Sequence, residues 1–347
     1  MNGFDRVQAA LAGRPVDRRS ALPILHSGLP PIFDVPLGTF YTDAQVMADV
    51  IVRGYQTFGY DGVQLSLGVT GEAEALGADV AQPEDGAPLL KAPLLTDFPG
   101  PESRERLQAL RTQDPTTGGR MPLYYEAVWR TAGRIGAEAF VLAMLRGPLL
   151  AASQLCGVEE LLMAMVTAPE AVESLLAFTT EVAAQLGAWL RPSGAHGLIL
   201  GEATCSPNFI SPALYRSLVR PYHQDLVARL RRAGWGTLGL HVCGEISPIF
   251  EDLIATGVDF LDVDYQVDAQ EAIELARDRV ALRGNLDPSS VLRFGTPAQV
   301  RQATRALMTA VVDAPRWILG SGCDIPPGTP QENLRAFIDA IVSTNGD

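Results

Sequence analysis

Short apolar runs alternate along this chain with longer stretches in which apolar residues recur at helical spacing. That alternation is the mark of βα units around a parallel sheet. Eight such runs stand out: ALPILH (21–26), GVQLSLG (62–68), FVLAMLR (140–146), GLILGEA (197–203), GTLGLHVC (236–243), DFLDVD (259–264), VALRGNL (280–286) and RWILGSG (316–322). Most are continuously apolar through their middles, as strands covered on both faces should be.

Helical patterns fill the gaps. TDAQVMADVIVRGYQTFGY (42–60) opens on Thr42 as a cap, and EISPIFEDLIATG (245–257) stops on Gly257. TPAQVRQATRALMTAVV (296–312) and TPQENLRAFIDAIVS (329–343) each open with Thr-Pro, a cap followed by proline at the first helical position. SPALYRSLVRPYHQDLVARLRRAG (211–234) reads as one long helix that Pro221 should kink. Pro, Gly and Asp cluster within 69–135, which reads as an insertion over the barrel mouth with one or two short helices. The expected architecture is a single (β/α)8 TIM-barrel domain over 1–347, with an N-terminal helical extension and that insertion after strand two. A doubly wound sheet is the alternative, since periodicity does not reveal closure.

A chain of 347 residues, 47% hydrophobic, can bury a core of that size. The formal net charge of −13 argues against nucleic acid, whose affinity rests on Lys and Arg, and against an anionic membrane surface. The first twenty residues lack the apolar core of a signal peptide, and no apolar run approaches the roughly 18 residues of a membrane span. The four cysteines (156, 205, 243 and 323) are too few for a disulfide framework, so a reducing cytoplasm is the expected compartment.

In a barrel, active-site groups gather at the C-terminal ends of the strands. His241 and Cys243 end the fifth run, and Cys323 follows the eighth. One imidazole and two thiolates make a three-ligand zinc set with a fourth position open. Alternate residues of an extended strand point the same way, so His241 and Cys243 can converge on one ion. A bland reading competes: a lone His-x-Cys is most often a hydrogen-bonded His and a small core Cys, and it is the second Cys at a matching strand end that raises the metal reading above it. Water or a carboxylate would complete the set, Asp264 first and Asp262 next, unless these are caps. Glu202, Arg146, Ser66 and Asn285 also lie near strand ends. Glu202 could bind substrate or orient a ligand, or simply pair with Arg146. His26 ends the first run and could line the pocket. Cys205 lies just beyond the fourth run, and Cys156 reads as core.

These residues carry a resemblance. RVQAALAGRPVDR, GEAEALGADV, ISPALYRSLVRPYHQ, RGNLDPSSVLRFGTPAQV and PPGTPQENLRAFI resemble the uroporphyrinogen decarboxylase superfamily over nearly the whole chain. HVCG with the later GCDIPP resembles its zinc-dependent corrinoid methyltransferase branch, which includes methylcobalamin:coenzyme M methyltransferases. The resemblance implies a TIM barrel and Zn2+ on His241, Cys243 and Cys323. It also implies methylcobalamin as co-substrate on a partner corrinoid protein, and a small thiol or methylated molecule as the other reactant. The decarboxylase branch uses an arginine-rich N-terminal pocket and an aspartate before Ala-Leu-Gly. Here the first run ends ILHSG, and Gly68 stands about where that aspartate would fall. A zinc bearing two thiolates is a modest Lewis acid, which suits a substrate thiol. A demethylase running in reverse and a non-catalytic zinc-bearing binding protein are the competing expectations.

Overall fold

The computed structural model describes residues 1–343, so the last four positions of the expected 1–347 domain lie outside the described residues. In chain order the strands are β1 (Gly62–Leu65), β2 (Val80–Ala81), β3 (Leu89–Leu90), β4 (Phe140–Arg146), β5 (Gly197–Gly201), β6 (Thr237–His241), β7 (Phe260–Asp262), β8 (Ala281–Leu286) and β9 (Trp317–Ser321). β1 and β4 to β9 form one curled parallel sheet of seven strands in sequential order, and β2 pairs with β3 as a separate antiparallel hairpin. Strict sequential order leaves no reversal of the kind a doubly wound sheet requires.

Both edges of the sheet meet the segment around Ala21. Leu22 N donates to Leu319 O, and Leu319 N to Ser20 O, each at 2.8 Å, while Asp61 N donates to Ala21 O at 2.7 Å. The α/β fold is therefore TIM-barrel-like. The expected first strand, 21–26, contributes only a single bridge at Ala21. Pro23 has no N–H to give a ladder. Beyond it Ile24 O accepts from Ile325 N at 2.9 Å, so the segment follows the chain past β9.

Pleat parity fixes what faces inward. Phe140, Leu142 and Met144 of β4 pack with Ile199, Phe260, Ala281 and Ile318 inside the sheet, and Val7 and Ala10 of the N-terminal helix Gly3–Leu11 join that cluster. The next inward position on each strand is polar or glycine: Arg146, Gly201, His241, Asp262 and Arg283. Ladder register sets these five side by side across β4 to β8.

The helices that cover the sheet begin and end for local reasons. Helix Ala44–Phe58 is capped by Asp43, whose carboxylate accepts from Val46 N at 2.9 Å, and not by Thr42, which ends the short helix Leu37–Thr42. Thr296 and Gln299 form the reciprocal capping box of helix Pro297–Ala310. Thr329 does not repeat this, because its hydroxyl donates to Pro326 O and Pro330 takes the cap position. The expected kink at Pro221 is a π-helical turn, Tyr215–Val219, between Pro212–Leu214 and Arg220–Arg232. Helix Met121–Ile135 is the crossover between β1 and its neighbour β4. Among the described residues no single helix is long and apolar enough to cross a membrane.

Candidate metal centre

His241 is the last residue of β6, and its side chain points into the mouth of the sheet. Cys243 lies beyond the strand rather than within it, and the chain turns at Gly244 (φ +88°), a left-handed value that favours glycine. The convergence of His241 and Cys243 therefore rests on this turn as well as on strand pleat. Cys323 sits two residues past β9. His241 Nε2 lies 3.2 Å from Cys243 Sγ and 3.8 Å from Cys323 Sγ, and the two sulfurs are 3.7 Å apart. All three donor atoms fall within 4.8 Å of one another, and both cysteines are free.

The imidazole is held from behind. His241 Nδ1 is 2.9 Å from Asp262 Oδ2, and Asp262 takes two 2.6 Å hydrogen bonds from Arg283 Nε and Nη2. Asp262 and Arg283 are each about 1% exposed. With Nδ1 engaged by a carboxylate, Nε2 is left facing the sulfurs, the orientation a metal-binding imidazole needs. Burial opposes charge on His241, but the hydrogen bonds with Asp262 and Cys323 outweigh it and raise the imidazole to about 10. Burial likewise opposes the charge of Asp262, and Arg283 and His241 overcome it, holding the carboxyl below its usual range. The Cys323 contact lowers Cys243, while that same contact, with burial second, raises Cys323.

The trio opens onto a cavity of about 260 Å³ that His26, Arg146 and Glu202 also line, together with Tyr41, Gly68, Met144 and Asp324. His26 keeps Nδ1 3.1 Å from Asp324 Oδ2, and burial pushes its imidazole pKa down. Arg146 donates through Nε to Gly68 O at 2.9 Å and through Nη2 to Ser66 Oγ, and its guanidinium has no carboxylate partner among the described residues. Gly201 makes room for it, since a Cβ there would stand 2.5 Å from Arg146 Nη1.

Three expected residues do other work. Ser66 and Asn285 are absent from the cavity lining. Ser66 braces Arg146, and Asn285 Nδ2 ties the loop after β7 by donating to Asp264 O at 3.2 Å and Val267 O at 2.8 Å. Asp264 stands outside the donor cluster, because Oδ1 accepts from Gln266 N at 3.0 Å, a local turn bond. Asp262, the second-choice ligand, is spent on His241 and Arg283. Sequence reasoning missed Arg283 altogether.

Glu202 lines the cavity, but it pairs with neither Arg146 nor the trio. Its carboxylate accepts from Leu149 N at 3.0 Å and Leu150 N at 2.8 Å, at the start of helix Pro148–Cys156, and meets His223 Nε2 at 2.7 Å. His223 Nδ1 in turn meets Tyr215 Oη at 2.9 Å. Cys205 lies buried beside this group, and burial raises its thiol well above the usual value. Cys156 is buried in the core, with its thiol directed at Ala152 O.

Fold and site define a TIM-barrel-like protein with a candidate N/S metal centre at the C-terminal mouth of its sheet. The family model described as uroporphyrinogen decarboxylase (URO-D) matches residues 2–343, and the chain belongs to that family. Its relatives include methyltransferases and decarboxylases by name. The methylcobamide:CoM methyltransferase MtaA of Methanosarcina barkeri is 24% identical over 339 residues, covering 96% of each chain. A uroporphyrinogen decarboxylase of Prochlorococcus marinus (strain MIT 9211) is 27% identical over 305 residues, 86% of this chain and 82% of that one. A solved methyltransferase from Methanosarcina mazei superposes with a TM-score of 0.90 at 22% identity, covering both chains fully. A B12-independent methionine synthase from Shewanella sp. W3-18-1 reaches 0.56 at 12% identity, with 94% and 96% covered.

Proposed function

We propose that the protein is a zinc-dependent methyltransferase that exchanges a methyl group between a corrinoid and a small thiol. Relatives of both activities match at similar identity, so the site must decide. The observation that carries the reading is the spacing of the trio. A tetrahedral zinc with Zn–S of about 2.3 Å and Zn–N of about 2.0 Å needs edges of about 3.8 Å between sulfurs and about 3.5 Å between nitrogen and sulfur. The observed 3.7 Å sulfur edge lies close to the first value, and the 3.2 and 3.8 Å nitrogen edges bracket the second.

When bound, zinc on three such ligands offers an open fourth position for a thiol sulfur and lowers the pKa of that thiol. The chain's own residues supply the setting. Asp262 and Arg283 hold the His241 ring in place. Arg146, a cation with no carboxylate partner in the cavity wall, is placed to anchor an anionic group on a short thiol. Glu202 presents a carboxyl group in the cavity wall, oriented by two backbone N–H groups. His26, pushed toward neutrality, is available as a hydrogen-bond partner.

Decarboxylation of a polycarboxylate fits poorly. Among the described residues Arg146 is the one arginine of the lining, so a polycarboxylate would find a single guanidinium to pair with. The reading carries with it a corrinoid-bearing partner protein and a reducing, cytoplasmic location that keeps the thiols free. The test follows the methyl–cobalt absorbance of methylcobalamin mixed with the metal-loaded protein and 2-mercaptoethanesulfonate. Decay is expected with the wild type and not with Cys323→Ala. Equal decay in both would refute the reading, and formation of methylcobalamin from cob(I)alamin and a methoxylated compound would favour the demethylase direction.

A further inference from the structure

Arg146 and Asp324 share the cavity of about 260 Å³ that holds the trio, yet guanidinium and carboxylate form no pair with each other. Arg146 donates through Nε to Gly68 O and through Nη2 to Ser66 Oγ, while Nη1 meets Met144 Sδ at 3.4 Å. Glu72 accepts from the backbone N–H of Arg146 at 2.7 Å rather than from the guanidinium, and burial raises its carboxyl pKa. A guanidinium carries five N–H donors, so Arg146 has donors left for an anion.

Asp324 is the counterpart. Its carboxylate accepts from His26 N at 3.2 Å and from Ser27 Oγ, and its one ring neighbour is His26 Nδ1 at 3.1 Å. Burial holds that imidazole toward neutrality, and Ser27 N donates to the same Nδ1 at 3.0 Å, so His26 is no counter-ion for Asp324. Among the described residues no lysine or arginine pairs with Asp324. Glu202, the other carboxyl of the lining, is already engaged by Leu149 N, Leu150 N and His223 Nε2. Arg146 and Asp324 both act electrostatically on the Tyr41 hydroxyl and on the His26 ring, so the four groups surround one space. A partly buried charge without a partner is unfavourable. Two opposite charges kept apart in one small cavity are satisfied together only by a ligand that bridges them.

We infer that the thiol substrate is a zwitterionic α-amino acid of the cysteine or homocysteine type, its carboxylate paired with Arg146 and its ammonium with Asp324. The inference rests on the methyl-transfer reading given above and adds a second charge to the substrate. Each group of such a molecule has a counterpart in the wall: the trio for sulfur, a planar guanidinium for carboxylate, and a carboxylate acceptor for ammonium. A thiol bearing an anion alone would satisfy Arg146 and leave Asp324 unpaired. Sites discriminate most strongly against an analogue that leaves one of their buried polar groups without its partner. In the reaction the thiol proton passes to solvent and the sulfur forms its bond to the methyl carbon. The carbon–cobalt bond breaks with its electron pair left on cobalt, which falls from cobalt(III) to cobalt(I), and the product is the S-methyl amino acid.

The test gives the metal-loaded full chain methylcobalamin and a panel of thiols. The panel holds L-cysteine, L-homocysteine, the analogues of each lacking the amino or the carboxyl group, and 2-mercaptoethanesulfonate. The better of the two amino acids should exceed both of its single-charge analogues and the sulfonate in kcat/KM by about tenfold or more. Asp324→Asn should cut the advantage of the amino acid over its amino-free analogue to about twofold or less. Calorimetry supplies a readout free of turnover and of the variant's zinc content. The S-methyl amino acid should bind the metal-free protein and lose about tenfold in affinity in Asp324→Asn. Methyl transfer in which the sulfonate or the amino-free acid matches the amino acid would overturn the zwitterion and leave the methyl-transfer reading intact. So would an advantage, or a product affinity, that Asp324→Asn preserves. No methyl transfer to any thiol by the wild type would overturn both.

Discussion

Asp262→Asn separates the metal reading from a merely structural one. The native carboxylate is buried, accepts two 2.6 Å hydrogen bonds from Arg283, and holds His241 Nδ1 at 2.9 Å. Asparagine keeps the volume and one acceptor oxygen, but it cannot serve both neighbours and gives Arg283 no counter-charge. Removing one partner of a buried ion pair costs about 3–5 kcal/mol, and the amide should put this change at the lower end. Loss of a carboxylate behind a metal-binding imidazole weakens metal affinity about 10- to 100-fold, or about 1.4–2.7 kcal/mol. Urea unfolding of the metal-free protein reads the first quantity, and competition with a chromophoric zinc chelator reads the second. The double change Asp262→Leu/Arg283→Met replaces the ion pair with apolar volume, so it should recover much of the stability and none of the metal affinity. A folded Asp262→Asn protein that binds zinc within about twofold of wild type would refute the role assigned to Asp262.

Other expectations follow from the same geometry. Cys243→Ala and Cys323→Ala should each lose stoichiometric zinc, measured by elemental analysis after gel filtration. Because the metal-free fold raises His241 from 6.5 to about 10, its contribution to stability should be fully present below about pH 6.5 and be lost as pH climbs toward 10. Zinc must displace that proton, so affinity should rise over the same window, with proton release visible by calorimetry in buffers of different ionisation enthalpy. Arg146→Gln should raise KM for 2-mercaptoethanesulfonate about tenfold or more and leave the neutral 2-mercaptoethanol nearly unaffected. Glu202→Ala strips acceptors from two buried N–H groups, so it should cost about 2 kcal/mol or more in urea unfolding.

How much of this was legible in the sequence depends on whether local or non-local information was needed. The run 140–146 became β4 residue for residue, because six consecutive apolar positions before an arginine leave little choice. The run 236–243 lost its end, since strand propensity does not reveal that β6 stops at His241 and the chain turns at Gly244. ALPILH reads as a strand, but Pro23 and its neighbours beyond β9 reduce it to one bridge. The candidate trio was visible because its residue types are rare and sit at matching strand ends. Its support was not. His241 to Asp262 and Asp262 to Arg283 are both steps of 21 residues, one strand-to-strand repeat each, and only ladder register turns those steps into adjacency. Asn285 and Asp264 misled because a polar residue at a strand end looks the same whether it faces the cavity or ties a loop.

X-ray absorption at the zinc edge, on the metal-loaded protein with and without 2-mercaptoethanesulfonate, addresses the central claim most directly. The account predicts one nitrogen and two sulfur ligands from the protein, plus one light atom that a third sulfur replaces when the thiol is added. Absence of stoichiometric zinc, or a sulfur count that stays at two with thiol in excess, would contradict it.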